Sequence, residues 1–444
     1  SNLLPAIKYE LTKIKGLDPE AIRQMNINKR KYIKYPANIV LPRDAYDIKN
    51  LQLIGRRVAG KEFIEGIIKN LNEDEYIDII LFSKNEIKQL NDIIKDIGFN
   101  LNKINYYLGV ENIDLNNIDN IHIPGPDINK WSILRSGYRR NLFSITGIIH
   151  TLCSNKIIEA LKEYLTGGLE SWDSLICTST SGKEVVEKTI NFYHEALEHK
   201  YETKLSMKKY PNIKHIPLAV NDITYDNELS RKEKRNRARK KLEISENTIV
   251  ILTLGRLSFH SKYHPLPLYR SIAKLTANRP NINILLLECG SFYNNSIKQN
   301  YDNLIKSINP LKVKRIGDLI PATDSQKIDA LNASDIFISP ADNIQETFGL
   351  SVIEAMAAEL PCIVSDWNGY KDLVKQNDNG FLISTKQLNL LDNSIDSTDI
   401  DYRIGKIDYD YMIGLKSMTT VVDEDEMTRK LLDLADNPTL REKM

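Results

Sequence analysis

Short apolar runs recur along the chain, separated by segments whose apolar positions repeat at helical spacing, and this alternation sets the expected architecture. In the first half the runs are Asn38–Leu41 (NIVL), Ile77–Phe82 (IDIILF), Ile121–Ile123, Ile145–Ile149 and Ser174–Thr178 (SLICT). Each has the length and polarity of a parallel strand covered on both faces. Helical spacing occupies Glu62–Leu71 and Ser181–Glu198, the latter behind the capping-type sequence Ser179-Thr180-Ser181. The second half repeats the alternation more regularly, with strands predicted at Thr248–Leu254 (TIVILTL), Ile282–Leu287 (INILLL), Val313–Ile316, Asp335–Ile338, Cys362–Ser365 and Phe381–Ile383. Strands alternating with helices imply right-handed crossovers, hence an α/β chain of two Rossmann-like domains whose parallel sheets face across a cleft, the usual place for a ligand.

The pattern divides the chain into an N-terminal domain (1–220), a linker region (221–246), a C-terminal domain (247–423) and a last helix (424–444). That helix is expected to pack back on the first domain. The linker region carries Arg231–Lys241 (RKEKRNRARKK), read as a solvated helix, with nucleic acid or anionic lipid as a minority reading. The Asp-rich and Asn-rich segment Asn389–Asp410 breaks the alternation and receives no element.

Composition narrows the function classes. With 444 residues two cores are affordable, and 60 Lys+Arg against 59 Asp+Glu leave +1, so no global field exists to hold a polyanion and nucleic acid is not an expected partner. Cys153, Cys177, Cys289 and Cys362 contain no CxxC pair, which suits a reducing compartment. No apolar run reaches a membrane span and no leader-type segment opens the sequence. A cytoplasmic location is expected, with peripheral contact on the inner membrane face left open through the basic run Lys29–Tyr35 (KRKYIKY), although a plain surface patch is the better reading. His194-Glu195 and His199 superficially suggest a zinc helix, but a five-residue spacing separates the rings by roughly 140°, so no metal site is expected.

The segment with most chemistry is Ile344–Glu354 (IQETFGLSVIE), where Glu346 and Glu354 flank Phe348-Gly349 with seven residues between them. It follows a strand and opens the helical run Ser351–Ala358, which puts free helix amides at the carboxyl edge of the sheet, where a diphosphate is favoured. At the end of the first strand of the same domain stands Gly255-Arg256-Leu257, with Lys262 six residues after the arginine. An arginine fork and a lysine ammonium there can neutralise a departing diphosphate.

These stretches resemble the family 4 retaining glycosyltransferases of GT-B fold, marked by a Glu-x7-Glu motif and a Gly-Arg-Leu segment followed by lysine. The likeness continues through Glu354–Ala357, Pro361–Ser365 and Gly380–Leu382, and Ile216–Asn221 resembles the family's domain-joining segment. It runs almost continuously from Thr248 to Ile383 and only in patches before that. The Arg256-to-Lys262 interval is one residue longer than the commonest family form.

The resemblance implies a metal-independent glycosyltransferase that moves a hexose from a nucleotide-diphosphate sugar to a hydroxyl acceptor, with retention. Arg256 and Lys262 would hold the diphosphate together with Gly255, and Glu346 would contact the transferred sugar. Thr347, Phe348, Gly349 and Leu350 would line the donor, and Glu354 would meet its ribose hydroxyls. By weaker matches, His150 would stand near donor sugar and acceptor, and Gly55-Arg56 would form a donor-facing loop. The implied cofactor is nothing beyond the donor itself, a UDP- or GDP-sugar, and the acceptor is a glycan, a lipid-linked sugar or a protein. Alternatives on the same scaffold are a glycoside phosphorylase or epimerase, or a silent nucleotide- or glycan-binding subunit. A nicotinamide-dependent enzyme is disfavoured, since no Gly-x-Gly-x-x-Gly follows a strand.

Overall fold

The computed structural model describes residues 33–46, 55–96, 100–206, 210–220, 229–388 and 397–444. Most of the basic run at 29–35, the first part of the expected linker (221–228) and residues 389–396 of the polar segment lie outside the described residues. The chain forms two compact units, one from residues 1–150, 157–177 and 186–214, the other from 151–156, 178–185 and 215–444.

The first unit is built on a seven-stranded sheet. Its strands are β1 (Ile33–Val40), β2 (Glu75–Leu81), β3 (Ile104–Leu108), β4 (Asn120–Ile123), β5 (Ser144–Ile148), β6 (Ser174–Cys177) and β7 (Asn212–His215), in the order β3-β2-β1-β4-β5-β6-β7. The pairings from β3 to β6 are parallel. The helix Gly55–Lys69 presents Ile64 and Ile68 to β1 and β2, where Ile39, Ile77 and Ile79 complete a fully buried layer. At the rim, Arg135 and Asp173, both inaccessible to water, form a two-pronged pair of 2.7 and 2.8 Å, and Asp173 also accepts from the Ile145 and Glu170 amides.

The second unit contains β8 (Thr248–Leu254), β9 (Asn283–Cys289), β10 (Val313–Ile316), β11 (Ile336–Ser339), β12 (Cys362–Ser365) and β13 (Gly380–Ile383), all parallel, in the order β10-β9-β8-β11-β12-β13. Alternation along β8 feeds two cores, as strand geometry requires. Val250, Leu252 and Leu254 enter one with the helices Arg231–Lys241, Asp324–Ala333 and Leu350–Ala357, while Ile251 enters the other with Leu266–Asn278 and Asn295–Ser307. In both sheets the order reverses beside the first strand, which places switch points between β1 and β4 and between β8 and β11.

One expectation needs correction. The run Arg231–Lys241 is a helix, but not a solvated linker. It opens with a Ser230/Glu233 capping box, and Arg231, Arg235 and Arg239, four residues apart, share one face. Arg239 is 1% exposed and donates to the Ala333 and Thr248 carbonyls and to Asp335, which Arg235 also binds. Arg231 donates to the Asn332 and Ser334 carbonyls. Three guanidinium groups therefore sit on the carbonyl-rich, negative end of the helix Asp324–Ala333, a favourable place for cations. The last long helix, Glu424–Asp436, buries Met427, Leu431, Leu434 and Ala435 in the second unit's core.

Between β13 and that helix the chain makes an excursion whose ends meet, because the Asp423 amide donates to the Ser384 carbonyl at 2.9 Å and the Ser384 amide to Glu426 at 2.8 Å. It contains the antiparallel ribbon β14 (Thr385–Gln387) and β15 (Thr420–Val422) and the helices Ser397–Arg403 and Tyr409–Ser417. Part of the unplaced polar segment is thus helical.

Candidate active site

At the second switch point β8 runs into Gly255-Arg256 and β11 into Pro340 and the loop that reaches Glu346. The two loops are tied by side chains that close their polar backbone groups. Asn343, fully buried, donates to the Lys262 carbonyl and accepts from the Gln345 amide at 3.0 Å, and Gln345 Nε2 donates to the Ser261 carbonyl at 2.8 Å. Arg256 donates to the same Ser261 carbonyl at 3.3 Å. The predicted cations are therefore held on one braced loop.

Lys262 is 8% exposed, and its ammonium donates to Glu346 Oε2 at 2.8 Å and to the Tyr370 hydroxyl at 3.0 Å. Burial works against this charge, but Glu346 and Tyr370 outweigh it and hold the lysine pKa above its ordinary value. Burial likewise opposes ionisation of Glu346, yet Lys262 and Arg256 keep that carboxyl below the usual range. Burial depresses Arg256, with Glu346 and Asp410 opposing. The sequence reading assigned Lys262 to diphosphate and Glu346 to sugar as separate contacts; the structure joins them in an ion pair.

Tyr370, inaccessible to water, is the residue the sequence reading missed. Its hydroxyl meets Ser339 at 2.8 Å as well as Lys262, and its ring lies against Gly349. Gly349 caps the helix Leu350–Ala357 at φ +111°, and a Cβ there would stand 2.5 Å from the Tyr370 ring. Only glycine satisfies both. Lys262, Glu346, Tyr370 and the helix start thus form one cluster, with Thr347 and buried Phe348 between them. Trp367 donates its Nε1 to the Asn343 carbonyl at 2.8 Å and so braces the loop.

Glu354 lies one helical stretch further in, 9% exposed, and pairs with Lys327 at 2.8 Å. Lys327 was not anticipated; it comes from the neighbouring helix. Beside the cluster a cavity of 1040 Å³ opens between Phe259, Tyr293 and Tyr411, and Asp342 forms part of its wall. Burial pushes the Asp342 carboxyl up to about 7.

The other predicted residues belong to the first unit. Arg56 donates to the Pro124 carbonyl at 3.3 Å and pairs with Asp44 at 3.0 Å, and His150 hydrogen-bonds the backbone at the same Pro124. Both converge on the first sheet's switch point, after β4. Burial and then Arg56 depress the His150 imidazole to about 3, so it is neutral near pH 7. Gly55 starts its helix with open space about its α-carbon, so no packing demands glycine there. Among the described residues no group of three or more His, Cys, Asp or Glu side chains is arranged to hold a metal ion.

Residues 234–398 match the family Glycosyl transferases group 1. D-inositol 3-phosphate glycosyltransferase of Corynebacterium aurimucosum is 30% identical over 148 residues, 33% of this chain and 34% of that protein. The UDP-Gal:alpha-D-GlcNAc-diphosphoundecaprenol alpha-1,3-galactosyltransferase of Escherichia coli is 43% identical over 67 residues, 15% of this chain and 16% of that protein. The matched region thus spans about a third or less of these curated relatives. Among solved structures, a glycosyltransferase from Rickettsia africae covers 91% of this chain and 96% of its own at 18% identity and a TM-score of 0.51. Anabaena Alr3699/HepE, solved with UDP and glucose, covers 91% and 97% at 12% identity and 0.50. The fold is the α/β GT-B type.

Proposed function

We propose that this protein is a retaining glycosyltransferase that moves a hexose from a UDP- or GDP-sugar to a hydroxyl on a glycan, lipid-linked or protein acceptor. The observation that carries the reading is the convergence of Arg256, Lys262, Glu346 and the glycine-capped helix start at the second switch point. The relatives' names, which include a UDP-galactose-dependent transferase, and the Anabaena protein's UDP complex support it.

In this reading the diphosphate lies at the amides before Ser351 and between Arg256 and Lys262, which supply the charge that stabilises the leaving group without requiring a metal. As phosphate oxygens take over Lys262, Glu346 is released to accept from a hydroxyl of the transferred sugar. Glu354, steadied by Lys327, accepts from the ribose. Within the first unit, the neutral His150 imidazole beside Arg56 offers a hydrogen bond and no charge. With Glu346 engaged by that sugar hydroxyl, the departing phosphate oxygen is the base that takes the acceptor proton on the same face. Among the described residues no helix is long and apolar enough to cross a membrane.

A thermal-shift panel of UDP, GDP and ADP with their glucose, galactose and mannose derivatives tests the donor class, because a bound ligand raises the melting temperature by mass action. One nucleotide should stabilise the protein, and Arg256→Ala should then cut turnover by about a hundredfold or more. Turnover near the wild-type rate in that variant ends the assignment.

A further inference from the structure

The excursion between Ser384 and Asp423 reaches the anion cluster through its second helix. The Tyr409 hydroxyl donates to Gln345 Oε1 at 3.3 Å, and Gln345 passes the constraint to the Ser261 carbonyl, which Arg256 shares. The same hydroxyl lies 2.9 Å from Cys153 Sγ, which in turn lies 3.1 Å from Thr151 Oγ1. Gln345 has one amide to give to one arrangement, and the Tyr409 hydroxyl selects the arrangement in which its Nε2 faces Ser261. Asp410, the next residue, stands 3.8 Å from His260 on the loop joining Arg256 to Lys262, and its carboxylate acts on Arg256 as well.

We infer that Tyr409 and Asp410 are positioning residues for the diphosphate site: Tyr409 fixes the Arg256 loop through Gln345 and Ser261, and Asp410 opposes the incoming anion at Arg256. The inference rests on the donor-site reading above and deepens it. Its consequence is directional. Losing the Tyr409 hydroxyl releases the Gln345 amide and the loop, so anion affinity falls. Losing the Asp410 charge removes a repulsion from the anion's seat, so affinity rises, and the gain shrinks as salt screens the charge. Asp410 is half exposed, which keeps the effect moderate.

The experiment is calorimetric titration of the full chain and its Tyr409→Phe and Asp410→Asn variants with UDP, GDP and inorganic pyrophosphate, at about 0.05 M and about 0.5 M salt, roughly a threefold change in screening length. Expected are a three- to tenfold loss for Tyr409→Phe and a two- to fivefold gain for Asp410→Asn at low salt. The fold-change should be the same for pyrophosphate as for the bound nucleotide, since both residues act on the anion. A merely structural role would not improve affinity, nor would it do so with a salt dependence. Unchanged or weakened binding in Asp410→Asn, or a change confined to the nucleotide and absent with pyrophosphate, overturns the inference. If the wild type binds none of the three probes, the donor-site reading fails instead. Should Tyr409→Phe unfold, Asp410→Asn alone decides.

Discussion

The pair Lys262–Glu346 invites a double-mutant cycle, because its geometry fixes both the size and the sign of the outcome. Lys262 is almost fully buried and its partner's side chain is 19% exposed, with 2.8 Å between the charged atoms. Replacing Lys262 by methionine keeps most of the volume but leaves a buried carboxylate without its main cation. Uncompensated buried charges cost about 3–5 kcal/mol. Arg256 also stabilises Glu346 and the carboxylate is not wholly dry, so the expected loss is about 2–4 kcal/mol. Glu346→Gln keeps an acceptor for the ammonium and should cost less, about 1–3 kcal/mol. The double variant removes both charges together and should lie within about 1 kcal/mol of the milder single change, giving a coupling of about 3 kcal/mol. For a unit of this size 1 kcal/mol corresponds to roughly 2–4 °C, so calorimetric scanning should show the second unit's transition lowered by about 4–16 °C in Lys262→Met and, in the double variant, only about as far as in Glu346→Gln alone. If the two single losses simply add, the ion pair does not hold the site together.

Other outcomes follow from particular contacts. Gly369→Ala would place a Cβ 2.3 Å from the Thr347 carbonyl oxygen and 2.5 Å from the Phe348 α-carbon, both backbone, so about 2–4 kcal/mol of stability and most nucleotide affinity should be lost; chemical unfolding together with nucleotide titration checks this. Arg239→Met would strip Asp335 of one cation and leave the Ala333 and Thr248 carbonyls unpaired in the core; a loss of about 3 kcal/mol or more is expected from urea unfolding, whereas a solvated arginine would give almost none. Asp342 has a native pKa near 7 against 3.8 when unfolded, so the native state binds more protons between those values and stability falls as pH rises from about 4 to about 7, then levels. Asp342→Asn can still accept from the His264 amide but cannot ionise. It should match the wild type near pH 4 and exceed it by about 2–4 kcal/mol at pH 8, in unfolding curves taken at both values.

The second unit was legible because its sheet is covered on both faces. Such strands must be continuous apolar runs, and TIVILTL at β8 and CIVS at β12 can be little else. The first unit was harder where strands are short or at an edge. β7 has mostly exposed residues, and β3 (INYYL) carries Asn105, which binds Asp78 across the sheet, so neither shows the run that marks a central strand. The ribbon of β14 and β15 has three residues per strand, below any periodicity. The basic helix was misread for a different reason. Charge in a sequence has no direction, and only the four-residue spacing of Arg231, Arg235 and Arg239 hinted that three of the cations face one acceptor surface.

Within the site, Arg256, Lys262, Glu346 and Gly349 were legible as ends of strands and the start of a helix, since parallel sheets collect such ends on one edge. What no spacing reveals is which charges satisfy one another, because Lys262 and Glu346 are 84 residues apart and meet only through the loop paths that Asn343 and Gln345 lock. That pairing changes the physics of the site. A pair of unengaged cations would capture any diphosphate by attraction alone. Here Lys262 already has a carboxylate and a phenol, and Arg256 faces Glu346 and Asp410, so an entering anion exchanges partners with groups that were solvated by protein. The affinity is then a difference between two satisfied states, and it favours a ligand whose sugar can occupy the released Glu346 over a bare phosphate that leaves this carboxylate unpaired. Under the proposed function, selectivity for an intact nucleotide sugar would follow from the same ion pair between Lys262 and Glu346.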